Sequence, residues 1–255
     1  MASTIIDSSI FQGIFSSDAM RRVWSDENRT QKYLDIECAL AKVQGRLGLI
    51  PQEAADEIVS HCHLNQIDMV KLRAQTERIG YPILGVVSQI NALCRDKLGE
   101  YVRWGATTQD ITDTATVLQI REALEIVDAD LAAISKTMAD LARKHPLTPM
   151  IGRSNLQQAI PITFGYKMAG LLSAIERHRT RLAQLRPRVL VGEFAGAAGR
   201  SPHSPPARWK RKRACAPHSA WASPTSRGTR SATTSPRSAA SSAWSAARSA
   251  SSAWT

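Results

Sequence analysis

Apolar positions over the first 199 residues recur with helical spacing, which predicts an all-α protein. In residues 17–49 a capping Ser17 precedes Tyr33, Leu34, Leu40, Val43 and Leu47 on one helical face. Pro51 opens a short helix over 51–59, with Glu53, Asp56 and Glu57 near its positive end. Residues 67–78 and 83–98 predict two more helices, separated by the break Gly80-Tyr81-Pro82. The longest pattern follows Gly105. Val117, Ile120, Leu124, Val127, Leu131, Ile134, Met138 and Leu141 alternate spacings of three and four, a heptad seam on a helix. Its length is ~35 residues, or about 50 Å. Pro146 and Pro149 end it. A second seam runs through Phe164, Met168, Leu171, Ile175, His178, Leu182 and Leu185, with Pro161 expected just inside its start and Pro187 near its end. Two long seams joined by a Pro-bounded loop imply a long-helix bundle. Neither helix can bury its seam alone, so the bundle is expected to be shared between subunits.

Composition changes this picture at one point. From Arg200 to Thr255 the chain has no Leu, Ile, Val, Phe, Met, Tyr, Asp, Glu, Asn or Gln. That segment supplies +10 of the +11 net charge, so the basic character that would suggest nucleic acid is confined to it. The expected organisation is therefore an N-terminal helical domain over 1–105, a partial central bundle over 106–199 and a basic low-complexity tail over 200–255. Cys38, Cys62, Cys94 and Cys215 form no CxxC pair, which fits free thiols in a reducing compartment. Neither a signal peptide nor a membrane span is evident, and a cytoplasmic location is expected.

Two stretches could carry chemistry. Residues 105–110, Gly-Ala-Thr-Thr-Gln-Asp, open the first long helix. Thr107 or Thr108 can cap it, with Asp110 closing a capping box. The same features would also make an anion site, because free N–H groups, Thr107, Thr108 and the amide of Gln109 cluster at a positive helix end. Residues 152–158, between the seams, bring together Arg153, Ser154, Asn155 and Gln158. They are either a solvated loop or the lip of a cleft at the bundle's end. His61-Cys62-His63 lacks metal-ligand spacing, and no metal site is expected. His178 reads as a packed seam histidine, and His145 as a helix-end residue interacting with the dipole.

These stretches together resemble the fumarase/aspartase superfamily, in the branch of adenylosuccinate lyase and 3-carboxy-cis,cis-muconate cycloisomerase. The resemblance rests on YVRWGATTQDITDT (101–114), GRSNLQQAIPITFGYK (152–167), LRPR (185–188) and FAGAAG (194–199). The opening IFQGIFSSDAM (10–20) is similar to the cycloisomerase-like N-terminus. It implies a homotetramer with a central bundle, active sites drawn from three subunits, a small dicarboxylate substrate and no cofactor. The reaction implied is β-elimination from a succinyl-type substrate, or the related cycloisomerisation. Thr107, Thr108 and Gln109 match the family's carboxylate-binding segment, and Arg153, Ser154 and Asn155 match the segment that normally reads Gly-Arg-Thr-His. Family members often carry histidine at the position of Asn155 or Gln158. The amides here do not exchange protons near pH 7, which leaves these residues substrate positioning. Residues 76–87 lack the histidine usual in adenylosuccinate lyases, which favours the cycloisomerase-like branch.

The tail has two readings. One is a genuine disordered basic segment able to bind nucleic acid, with Trp209 beside the basic run 210–213. The other is a frameshift after Gly199. Reading shifted codons through residues 199–204, 221–233 and 244–255 recovers, in order, three words that the family shows after Gly-Ala-Ala-Gly. The codon argument favours the frameshift and confines nucleic-acid binding to a non-specific polycation effect. The family's Ser-Ser-x-Met-Pro-x-Lys-x-Asn loop, which bears the general base, is absent from the sequence, so no catalytic residue is assigned and the chain is expected to be inactive.

Overall fold

A computed structural model describes Thr4 and residues 8–197. These belong to one compact unit, Met1–Trp221; the second unit, Ala222–Thr255, and the expected disordered or out-of-frame tail lie outside the described residues. Among the described residues the helices are α1 (Gln12–Phe15), α2 (Asp18–Val23), α3 (Asp26–Arg46), α4 (Gln52–Ser60), α5 (Met69–Ile79), α6 (Pro82–Leu93), α7 (Thr108–Lys144) and α8 (Phe164–Val189). One hairpin, β1 (Pro149–Ser154) and β2 (Gln157–Thr163), lies between α7 and α8. The fold is thus helical, as expected, with one small sheet.

Local chemistry sets the boundaries. The Ser17 hydroxyl accepts from the Met20 amide and caps α2, but the helix stops at Val23. Ser25 then caps α3 through the Asn28 amide at 3.1 Å, so residues 17–49 hold two main helices rather than one. Asp68 caps α5, and Gly80 ends it at φ 84°, a left-handed conformation that suits glycine. The helix expected over 83–98 ends at Leu93, and a short 3-10 turn, Leu98–Tyr101, follows.

The core forms where α3 packs on α4, α6 and the first turns of α7. Tyr33, Leu34, Ile58, Ile83, Ile90, Ile111 and Ala115 are all buried there. α7 and α8 run against each other as the two seams require, and Arg186 of α8 reaches the Leu124 carbonyl and Asp128 of α7, both at 3.3 Å. Their burial is uneven. Beyond Gln119 the only buried residue of α7 is Ser135, and α8 buries only Gly165 and Leu182. Val127, Ile134 and Leu171 remain 37%, 42% and 46% exposed, so the seams are not filled within one chain.

Three expectations are corrected. Residues 152–158 are hairpin, not loop: Asn155 and Leu156 have φ of 49° and 63°, a two-residue turn of the kind that matches strand twist. Pro161 pairs with Ile151 inside β2, and α8 starts at Phe164, capped by Thr163. His178 is half-buried rather than packed in a core; it contacts Arg181 at 2.9 Å, and burial, then Arg181 and Arg177, lowers its pKa.

Candidate carboxylate site at the start of α7

The site begins with the α7 cap. Thr107 is the N-cap, and its amide donates to Asp110 Oδ2 at 2.9 Å in a capping box. Thr108 and Gln109 occupy the first turn, half-buried and exposed respectively. The helix behind them has 37 residues, so its positive end is fully developed.

Asp110 also has a second function. It is 1% exposed, and its Oδ1 and Oδ2 accept the amides of Ala195 and Gly196 at 2.8 and 2.9 Å. The segment after α8 is thereby bound to the start of α7. Thr114 adds a contact to the Glu193 amide at 3.0 Å. Gly105 and Gly196 face each other here with φ of 72° and 71°. A Cβ on Gly196 would lie 3.5 Å from the Gly105 carbonyl, so the left-handed backbone, not space, is what calls for glycine. Two of the sequence motifs, 101–114 and the described part of 194–199, therefore converge at one helix end.

Arg103 is a site residue that the motif reading missed. Its Nη1 donates to Thr108 Oγ1 at 3.4 Å, bringing a guanidinium to the helix start. Its backbone is left-handed at φ 59°. The loop carrying it rests on α3, where buried Gln44 donates to the Trp104 carbonyl at 2.6 Å. Glu37, seven residues earlier on the same face, is also buried beneath this loop. Neither Glu37 oxygen has a partner in good hydrogen-bond geometry, although the Arg103 backbone amide is close enough to act on it. Burial raises its pKa to about 7, against the opposing pull of Arg103.

The second cluster lies elsewhere. Arg153 and Ser154 end β1, Asn155 sits in the turn and Gln158 begins β2, all exposed. The hairpin follows the far end of α7, which is ~55 Å long at ~1.5 Å per residue. One chain thus brings Thr107, Thr108 and Gln109 together with Arg103, and keeps them apart from Arg153, Ser154, Asn155 and Gln158.

Two histidines outside these clusters, His61 and His145, make local contacts. His61 bonds Gln66 and Glu57, and His145 contacts Thr148 and the edge of Phe164. Among the described residues no group of three or more His, Cys, Asp or Glu could hold a metal. No described helix is long and apolar enough to cross a membrane.

The profile of the family described as Lyase matches residues 14–210. The chain belongs to this lyase family. The family is enzymatic, and the superfamily resemblance drawn from the motifs is borne out. The chain is 55% identical over 186 residues to trans-aconitate decarboxylase 1 of Mycosarcoma maydis, covering 73% of this chain and 38% of that protein. It is 41% identical over 199 residues to N-acetyl-S-(2-succino)cysteine lyase of Dickeya dadantii, covering 78% and 44%. Among solved structures it is similar to 3-carboxy-cis,cis-muconate lactonizing enzyme from Pseudomonas putida, with a TM-score of 0.78 and 37% identity over 82% of this chain and 48% of that one. The chain spans about two fifths of the length of these curated relatives.

Proposed function

We propose that the chain holds one carboxylate of a small succinyl-type or unsaturated dicarboxylate at the start of α7. The chemistry is β-elimination, or cycloisomerisation of the carboxymuconate kind. The observation that carries this reading is the convergence of Thr107, Thr108, Gln109 and the Arg103 guanidinium at the positive end of a 37-residue helix. The relatives' names support it, since aconitate, succinocysteine and carboxymuconate each carry more than one carboxylate.

Arg153, Ser154, Asn155 and Gln158 bind the other end of the substrate from a neighbouring subunit, in a homotetramer built on α7 and α8. The exposed seam residues Val127, Ile134 and Leu171 support this assembly. None of the assigned side chains exchanges a proton near neutral pH, so the chain by itself binds and orients but turns over little. Robust conversion of adenylosuccinate or a carboxymuconate by the purified chain would overturn that. The free thiols Cys38, Cys62 and Cys94 are consistent with a cytoplasmic protein.

Calorimetric titration with succinate and fumarate tests the site. Both should bind, and Thr108→Ala should weaken them about tenfold, the value of a lost hydrogen bond to a charged group. Equal binding by the variant, or none by the wild type, contradicts the reading.

A further inference from the structure

A buried carboxylate without well-formed hydrogen bonds is costly, and Glu37 is 1% exposed with neither oxygen in good hydrogen-bond geometry. It lies on the α3 face that also carries Gln44, and Gln44 grips the Trp104 carbonyl in the loop leading to the site. The cation acting on Glu37 is Arg103, the same side chain that reaches Thr108 at the head of α7. Both the backbone amide and the guanidinium of Arg103 thus act on Glu37, which ties it to the residue that brings positive charge to the carboxylate site.

We propose that Glu37 is a positioning residue of that site: it acts through Arg103, so that a bound dicarboxylate and a proton on Glu37 favour one another. This rests on the carboxylate-site reading above. When Glu37 is ionised, it draws on the Arg103 charge and repels an incoming anion. When it is protonated, Arg103 is available to the ligand. Because burial holds the Glu37 proton up to about pH 7, the exchange falls in the physiological range. By linkage, ligand affinity falls as pH rises through this range, and binding near pH 7 takes up a fraction of a proton. For two charges ~10 Å apart at an effective dielectric of ~20, the repulsion amounts to about a tenfold change in affinity.

Other groups near Glu37 are few. α6 has no titratable side chain; the acids of α4, Glu53, Asp56 and Glu57, are engaged by Arg95, Gln52 and His61; and Cys62, just after α4, has its thiol pushed up by Cys38, burial and Glu37 itself, and so stays protonated. Asp110 at the head of α7 has its oxygens occupied by three amides. Cys38, beside Glu37 on α3, is the group to control for: the hydrogen bond from Cys62, aided by Lys42, pulls it down to about 6.

The test is calorimetric titration of the full chain with succinate at pH 6 and pH 8.5, in wild type, Glu37→Gln and Cys38→Ser. Wild type and Cys38→Ser should bind about tenfold more weakly at pH 8.5. Glu37→Gln should bind with one affinity at both, near the wild-type value at pH 6. Titration of the wild type at pH 7 in two buffers of different ionisation enthalpy should show proton uptake, which keeps the test decisive even when Glu37→Gln fails to fold. Equal wild-type affinity at both pH values with no proton uptake would overturn the proposal and leave the carboxylate site standing. A pH dependence that persists in Glu37→Gln or vanishes in Cys38→Ser would also overturn it. No succinate binding at any pH would remove the site and this proposal together.

Discussion

Replacing Asp110 by Asn keeps the side chain's shape and removes its charge. Asp110 Oδ2 accepts the amides of Thr107 and Gly196 at 2.9 Å, and Oδ1 accepts that of Ala195 at 2.8 Å. An Asn oxygen in the Oδ2 place keeps two of these bonds but turns an NH2 donor toward the Ala195 N–H. The opposite rotamer loses two. The position is 1% exposed, so water does not substitute. A hydrogen bond to a charged group is worth roughly 1.5–3 kcal/mol, and the helix start loses about 0.5 kcal/mol of dipole interaction. The expected cost of Asp110→Asn is about 2–4 kcal/mol. Urea unfolding reads this as a midpoint lowered by about 1–2 M for an m value near ~2 kcal/mol/M. Asp113→Asn, which removes one charge from the next turn, should cost under ~0.5 kcal/mol. If the two variants are equally stable, the three-amide anchor is not what joins the segment after α8 to the head of α7.

Gln44→Ala removes the 2.6 Å bond to the Trp104 carbonyl and opens a cavity, which should cost about 2–4 kcal/mol in urea unfolding and weaken succinate binding. Glu37 also predicts a pH profile of stability. Its folded pKa is about 7 against an ordinary 4.5, so from pH 4.5 to 7 the folded state holds a proton that the unfolded state has released. Stability from this group is therefore fully present below pH 4.5 and falls by a total of about 3 kcal/mol as pH rises to 7. Glu37→Gln should flatten that fall. Val127→Lys with Ile134→Lys, on side chains 37% and 42% exposed, should leave stability within ~1 kcal/mol and shift light scattering toward monomer. An unchanged assembly would show that the seam is not the contact between copies.

The long helices were legible because a heptad seam over Val117 to Leu141 has no other simple reading. The Thr107–Asp110 capping box was legible too, since it is local. The second role of Asp110 was not: its partners, Ala195 and Gly196, lie 85 and 86 residues away. The hairpin was hidden because its turn uses Asn155 and Leu156, where glycine would have announced it, and because Pro161 looked like a helix opener. Glu37 left a readable signal, standing one helical turn from both Tyr33 and Ala41 on an apolar face. The separation of the two site clusters also follows from the length of α7. What pattern alone could not supply was which charges meet in the loop at Arg103.

The central claim is that the head of α7 binds a carboxylate. Backbone amide NMR of the isotope-labelled chain titrated with succinate tests it most directly. Saturable shifts should centre on Thr107, Thr108 and Gln109, with Ala195 and Gly196 following through Asp110. Saturable binding with shifts elsewhere and none at these amides would contradict the account.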